Sequence, residues 1–542
     1  MDYEALMRRF ERAKNDRANF ESVWQEIAER VWPSAADFTV QQTPGARRTE
    51  KMFDPTPALS AQKAISAIAS FAWPSNQQYQ RITTTNAALN RVQSVRVWMD
   101  DLTNRIFAAR YSPRAAFESQ MSEVGLSSFC FGTGLMFVDE NIEKRTLRYK
   151  ALPLSQTYII EGADGKVDTL YRCFKWSVRQ IAQKWPNGLN DKLRERLRDR
   201  PDEMIEVSHF VGPREDFEPG ATGNRGLPIA SVYYIADQKH VLDEGGFRCW
   251  PFGIHRYMTS PSEVYGRGPA WLALPSIKVL NVQKKTLLQA GQKVVDPPLL
   301  ASEDGILSAF SQVPGAVNMG ALDSQGNELV KPLITNARVD IGLDMMDRER
   351  DIIAGAFMMD VFRVLIEHPN MTATQTIELL NERAVIMAPI VGRYESEFFS
   401  PVTEREIDLL VHAGQIDQMP PELIEAQGEY KIEFTSPMRR AMRSSEAIAI
   451  TRTLESITPM AQVDASVLDA FDLPEMAREL ADINGVPAHC IRDAEALAAM
   501  KQQRATDAQT AQLLQAAPMV SQTAANLAKL QASGGLQPGL GG

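Results

Sequence analysis

The chain has 542 residues, 44% of them hydrophobic and 23% charged, with a formal net charge of −10. That is ordinary globular composition with material for several domain-sized cores. Its acidic balance argues against a simple electrostatic grip on nucleic acid, since proteins that hold DNA neutralise phosphates with Lys and Arg. Met1 is followed by Asp2 and Glu4 rather than a basic segment and an apolar run, so no secretory signal is read. No stretch approaches the roughly 20 apolar residues that span a bilayer. Cys130, Cys173, Cys249 and Cys490 are far apart. They match neither a zinc pattern nor a disulfide framework and read as reduced thiols in a cytosolic protein.

Residues 1–32 read as an amphipathic helix. Leu6, Phe10, Ala13, Phe20, Trp24, Ile27 and Val31 follow three-four spacing, broken only at Arg17, and Trp32-Pro33 stops it. Helices are expected near 57–73, 91–109 and 114–129. Strands are expected at 135–139, 147–151, 156–161 and 168–174, with Asp164-Gly165 as a hairpin turn. Gly212–Gly226 reads as a surface loop. Two helices of opposite charge follow. Ser276–Val295 carries Lys278, Lys284, Lys285 and Lys293 and no acid, and Pro297-Pro298 ends it. Val339–Val361 has six acids against two arginines, a net −4. Between them, 299–338 is Gly-dotted and strand-like, so the layout suggests a helical hairpin with a small α/β tip. Thr372 and Gln375 fit a capping box for a long helix. Along it Ile377, Leu380, Ala384, Met387, Val391, Tyr394 and Phe398 form one seam, with a kink expected at Pro389 and Gly392. A strand is expected at 429–435, then mainly helix, with Asp493–Ala517 rich in Ala and Gln. Ser533–Gly542 reads as a flexible tail.

No catalytic constellation stands out. Gly162–Asp168 has a Gly-Lys pair but not the spacing or Ser/Thr of a phosphate loop, and Phe131–Gly134 reads as a tight turn or close packing. The six histidines lack His-x-x-x-His spacing and an adjoining acid cluster, so each reads as structural. No Gly-x-Ser-x-Gly elbow occurs. The expectation is a non-enzyme without cofactor or metal.

The segment Tyr265–Asn281, YGRGPAWLALPSIKVLN, resembles a signature of the head-to-tail connector (portal) proteins of short-tailed podophages. The match continues at Pro297–Leu300, Asp304-Gly305, Pro314–Asn318, Met371–Thr374, Glu382–Arg405, Ser436-Pro437 and Arg439-Arg440. Upstream, Trp24–Glu26, Phe131–Gly134 and Tyr158-Ile159 keep the family's order, so recognisable positions cover most of residues 20–445. Gln78-Tyr79 stands where the family often has Trp-Phe, and Gln375 where it often has an acid. The last hundred residues resemble the family only in being helical.

The resemblance implies an α+β, mainly helical portal fold whose subunits form a ring, usually of twelve. Wing would occupy 1–265 and 374–483, stem helices 266–295 and 339–364, and an α/β clip 296–338. A tunnel loop would span 365–373, including Ile366, Glu367, His368 and Asn370, and a helical crown with the tail 484–542. The implied partners are double-stranded DNA in the channel, terminase, tail adaptors, capsid and scaffold proteins, and no membrane. The implied place is the portal vertex of the virion, and the host cytoplasm during assembly. Two other functions compete: another structural head or tail adaptor protein, and a nucleic-acid enzyme such as a terminase or nuclease.

One feature belongs to the residues themselves. Asp340, Asp344, Asp347 and Asp351 fall at steps of four, three and four, so they share a helical face. Like charges so spaced destabilise a helix by roughly 0.2–0.5 kcal/mol per pair, so helix stability does not explain them. Either the stripe is solvated or meets Lys278, Lys285 and Lys293 across the helix pair, within or between subunits, or it lines the channel as rings of negative charge that repel phosphates. The hypothesis taken forward has the aspartates facing the lumen and the lysines facing outward or a neighbouring subunit. The stripe of residues 6–31 and the seam of 377–398 are further candidate contact surfaces between subunits; the alternative is burial within one subunit, which is favoured for the seam.

Overall fold

The computed structural model describes residues 3–40, 43, 45–86, 88–141, 146–301, 311–322, 325–333, 339–360, 385–426, 428–484, 486, 490, 497, 499–504 and 506–507. Its first helix, α1 (Tyr3–Val31), buries Leu6, Phe10, Ala13, Trp24, Ile27, Ala28 and Val31 along one stripe. Trp32 closes the last turn on the Ala28 carbonyl at 3.0 Å, and Pro33 cannot continue it. The break in the stripe, Arg17, is buried as well. Its guanidinium donates to the carbonyls of Leu154 and Thr157 at 2.8 Å and of Ser155 at 3.1 Å, pairs with Glu21, and lies 3.7 Å from the Tyr158 ring centre. Arg17 therefore satisfies three carbonyls of one tight corner, and its charge is compensated.

After α1 come α2 (Thr56–Ala72), β1 (Gln80–Thr83), α3 (Gln93–Arg110), α4 (Phe117–Phe131), β2 (Thr133–Asn141), β3 (Thr146–Leu152), β4 (Thr157–Glu161), β5 (Val167–Ser177), α5 (Val178–Lys184) and α6 (Asp191–Asp199). Then follow β6 (Met204–Pro213), β7 (Ile229–Ile235), β8 (His240–Phe247), β9 (Phe252–Arg256), α7 (Pro269–Val295), β10 (Leu299–Ala301), β11 (Val330–Pro332) and α8 (Val339–Ala356). Helical residues 385–393 and a π-helical turn at Tyr394–Phe399 lead into α9 (Ser400–His412). The chain closes with α10 (Pro421–Glu425), β12 (Lys431–Phe434), α11 (Pro437–Val463) and α12 (Leu473–Ile483). The expected α+β, mainly helical class is what the residues form.

The chain divides into two compact units, 1–80 with 105–416 and 434–444, and 81–104 with 417–433 and 445–542. In the first, β4-β5-β6-β7-β8 make an antiparallel sheet and β3-β2-β9 another. Period-two alternation gives the larger sheet two apolar faces. Tyr171, Phe210, Val232 and Tyr234 meet Leu6 and Phe10 of α1, while Phe174, Ile205 and Val207 meet Val178 and Ile181 of α5 and Leu193 of α6. Ser177 and Gln180 form a reciprocal capping box that starts α5. The expected hairpin turn is present: Gly162 bonds Lys166 at 2.8 Å and Gly165 takes φ +77°. At Gly132 (φ +86°) an added Cβ would overlap the Gly266 carbonyl, so the Phe131–Gly134 segment is a close-packed turn.

Deep in this unit lies a charged network. Arg110 donates to Glu406 at 2.6 and 2.9 Å, to Tyr79 at 2.6 Å and to Thr403 at 3.1 Å, while Tyr149 donates to Glu406 at 2.5 Å. Both charged side chains are 0% exposed. Burial opposes the Arg110 charge, but the Glu406 carboxylate outweighs it and drives the guanidinium pKa upward.

Several expectations are corrected. The second charged helix, expected over 339–361, is interrupted after Ala356: Met358 turns left-handed (φ +57°) and its N–H caps the Gly355 carbonyl at 2.9 Å, residues 359–360 are helical again, and 361–364 lie outside the described residues. Residues 385–393 run helically through Pro389 and Gly392, so the irregularity comes one turn later. There Pro401, which has no N–H, follows a widened turn in which Ser400 bonds the Glu395 carbonyl. Met387, Ile390, Val391, Tyr394 and Phe398, the described part of the seam, are buried in the first unit's core, and Leu6, Phe10, Trp24, Ile27 and Val31 of the α1 stripe are buried within the same unit. The expected cap at Thr372 and Gln375, the early seam at 377–384, and Ile366, Glu367, His368 and Asn370 lie outside the described residues.

In the second unit β1 pairs with β12, as the strand expected at 429–435 requires, and Arg81 reaches Glu433 at 2.9 Å. Val95, Met99 and Leu102 of α3 are buried there, and Thr103 accepts from the Ile82 N–H at 3.0 Å. Of Asp493–Ala517 only a few residues are described, and 499–504 are helical; the tail at 533–542 lies outside.

Candidate functional site

The two oppositely charged helices, α7 and α8, pack on each other, and the tip between them carries the short antiparallel pair β10–β11. Ala270, Ala273, Leu274, Ile277 and Leu280 anchor α7 in the core; Met346, Ile353 and Phe357 anchor the end of α8. A Cβ on Gly342 would press on Leu287, so that face of α8 is turned to α7.

A single loop clasps both helices. Asn281 of α7 accepts from the N–H of Phe53 at 2.6 Å and of Asp54 at 3.3 Å. Asp54, buried, accepts from Thr56 and, at 2.6 Å, from Arg350 of α8, which also holds Asp347 at 2.8 Å. Burial raises the Asp54 pKa, but the bonds from Thr56 and Arg350 outweigh it and leave the carboxyl below its usual range. Two lysines of α7 lie on this side as well: Lys278 pairs with Glu26 of α1, and Lys285 sits 5.8 Å from the Phe53 ring centre. Lys293 is exposed.

At about 100° per residue, α8 resolves into three stripes. The buried stripe holds Met346, Ile353 and Phe357. Asp340, Asp344, Asp347 and Asp351, all exposed, form a second, roughly 130° around the helix and far from the Gly342 side that meets α7. No ion pair joins Lys278, Lys285 or Lys293 to Asp344, Asp347 or Asp351. The third stripe was legible in the sequence and missed. Ile341, Met345 and Ile352 share it, and they are 45%, 50% and 55% exposed. Leu272, Val279 and Val282 likewise stand in water on the side of α7 opposite its core stripe, Leu272 at 77%. Val313, Val317, Met319 and Leu322 of the tip are exposed too. Apolar clusters of this extent on a monomer mark surfaces that something else covers.

The arrangement offers little to catalysis. Ser128 Oγ and His255 Nδ1 lie 2.6 Å apart, as in an activated nucleophile. Yet His255 is sealed in the core and stacked 3.4 Å from the Tyr394 ring centre, and burial pushes its pKa down to about 3. No carboxylate among the described residues orients it. His209 is also buried and lowered to about 3. Among the described residues no group of three or more His, Cys, Asp or Glu could hold a metal ion, and no helix is long and apolar enough to cross a membrane.

Known proteins are similar to this chain along nearly its full length. The chain is 25% identical to the portal protein of Salmonella phage epsilon15 over 551 aligned residues, which cover 98% of this chain and 96% of that one. It is 26% identical over 539 residues to the probable portal protein of Bordetella phage BPP-1, covering 97% and 96%. Residues 3–491 match the family described as bacteriophage head to tail connecting protein. That span takes in α1, both sheets and the whole α7–α8 pair, and the chain belongs to the bacteriophage head to tail connecting protein family.

Proposed function

We propose that this chain is a portal subunit: copies of it, twelve by the family's habit, close a ring at one capsid vertex through which double-stranded DNA is packaged and ejected. In this reading α7 and α8 are the stem, 296–338 the clip, 365–373 the tunnel loop with Ile366, Glu367, His368 and Asn370, and 484–542 the crown. The remainder, 1–265 and 374–483, is wing. Terminase docks during filling, tail adaptors afterwards, and capsid and scaffold proteins hold the ring in place. The subunit itself is non-enzymatic.

The observation that carries the reading is the separation of stripes on α8. A ring needs a heterologous contact whose rotation closes. Ile341, Met345 and Ile352, with Leu272, Val279 and Val282 of α7, supply apolar surface for such a contact. Each such side chain, partly covered already, gains roughly 1–2 kcal/mol when the rest is covered. The aspartate stripe lies on another face and stays wet. Repeated around a ring it becomes tiers of negative charge, and duplex DNA, with one charge per about 1.7 Å, is repelled rather than held. Net acidity then describes a conduit of low friction.

Electron microscopy of the purified chain tests the ring directly. Asp344→Lys combined with Asp351→Lys avoids the Arg350 clasp; it is expected to leave rings intact and slow DNA passage at low salt. Packaging at the normal rate by such rings, or a map with Lys278 and Lys285 lining the pore, contradicts the lumenal stripe.

A further inference from the structure

Where α1 ends, the chain encloses a cavity of about 200 Å³. Its walls are the turn at 32–38, residues Glu123, Val124 and Ser127 of α4, and the corner 151–156 between β3 and β4. Each wall is held by a polar side chain bonded to backbone. Gln25 accepts from the N–H groups of Phe38 at 3.0 Å and Thr39 at 3.3 Å. Ser127 donates to the Thr133 carbonyl at 2.7 Å, and Gln120, a turn before Glu123, accepts from the Ala151 N–H at 2.7 Å. Arg17 holds the corner through the carbonyls of Leu154, Ser155 and Thr157. The cavity is therefore shaped by the fold before anything enters it, which lowers the cost of filling it.

Its lining is sorted by depth. Val124, Phe131, Leu152 and Leu154 are buried and make the floor. The half-buried rings of Trp32 and Phe38 stand beside Phe131, their centroids 5.9 and 4.9 Å from it. Asp37 and Glu123 are exposed and make the rim. At one edge of that rim Arg48 donates to the Ser34 carbonyl and, at 3.4 Å, to Asp37, so a cation is already held there. At the other edge, among the described residues, no cation pairs with Glu123. Two carboxylates thus face one guanidinium, and the excess negative charge lies beside aromatic rings. Ring faces attract cations, and an apolar floor takes hydrocarbon but penalises a charge brought down to it.

We propose that this cavity binds a small monoalkylammonium ion, its hydrocarbon end on the floor and its ammonium at the rim against Glu123 and the Trp32 and Phe38 rings. The volume restricts the guest to a short chain, since drug-sized ligands fill roughly 300–1,000 Å³.

The test is ligand-observed saturation-transfer NMR on the full-length protein at constant ionic strength, with n-butylammonium as the probe. Saturable binding is expected, with n-butanol about ten-fold weaker or more because it lacks the charge. Putrescine, which has to bring a second ammonium to the floor, is expected to bind more weakly than n-butylammonium. Glu123→Gln, an exposed change, lowers affinity for the ammonium about ten-fold and leaves n-butanol as it was. Ala151→Leu narrows the cavity and weakens both. Glu118→Gln, on the same helix but outside the cavity, changes neither. Absence of saturable binding overturns the proposal, as does equal affinity for n-butanol, which would leave a merely apolar hole. Putrescine binding as tightly as n-butylammonium, or a Glu123→Gln variant that binds the ammonium like the wild type, overturns it too.

Discussion

The buried network at Arg110 and the exposed helix pair α7–α8 treat charge in opposite ways. In the network every charged atom is inside, paired and ringed by Phe107, Phe117 and Phe399. On α8 four aspartates stand in water while isoleucine and methionine stand there too. The first pattern fixes one subunit's interior. The second leaves a surface unfinished in a single chain, with polar and apolar labour divided between faces. Charge buried in pairs specifies a fold; charge sorted by face specifies what the fold is next to.

That contrast can be broken from either side. Arg110→Met strands Glu406 in the core and is expected to cost about 3–5 kcal/mol in denaturant unfolding, whereas the double variant with Glu406→Leu recovers most of it. A double variant as unstable as the single one would mean that the pair itself, not the stranded charge, holds the region together.

Acid probes the same interior. His255 has a folded pKa of about 3 against about 6.5 unfolded, so below 6.5 the unfolded chain binds the extra proton. Its share of stability is whole above pH 6.5 and is lost as pH falls towards 3, about 2 kcal/mol by pH 5. Replacement with Phe should flatten that part of the stability–pH curve; an unchanged slope would show that His255 opens to water before the core does.

On the helix pair the effect on a single chain is expected to be smallest. Ile352→Ser should shift monomer stability by no more than about 0.5 kcal/mol while weakening self-association in sedimentation velocity. A large loss of monomer stability with normal association would place that stripe inside the subunit.

Much of this was legible in the sequence where one periodicity ruled. The α1 stripe and the β4–β5 hairpin emerged close to their expected bounds, and the lysine helix ends at Val295 as expected but begins seven residues before Ser276, at Pro269. Strands β6 to β9 did not, because the central sheet is covered on both faces and β6 is buried at Val207, Ser208, His209, Phe210 and Val211 in succession, which erases alternation. Arg17 looked like a flaw in a stripe, since nothing nearby announces the three carbonyls some 140 residues away that it serves. Glu406 lies 296 residues from Arg110, and no spacing rule joins them. The aspartate stripe is visible as charge at three-four spacing, whereas Ile341, Met345 and Ile352 alternate with the buried Met346 and Ile353 on one helix, and periodicity alone does not say which apolar side a neighbour covers.

The clasp of Asn281, Asp54 and Arg350 has a mechanical consequence. Load applied along α7 reaches α8 through short polar bonds arranged in series at one loop, not through the oily contact alone. Hydrogen bonds tolerate only about half an ångström of stretch before they fail, whereas packed methyl groups glide. The loop at 53–56 is thus a shear pin. It keeps the two helices in register under thrust and sets the displacement at which they would begin to slip.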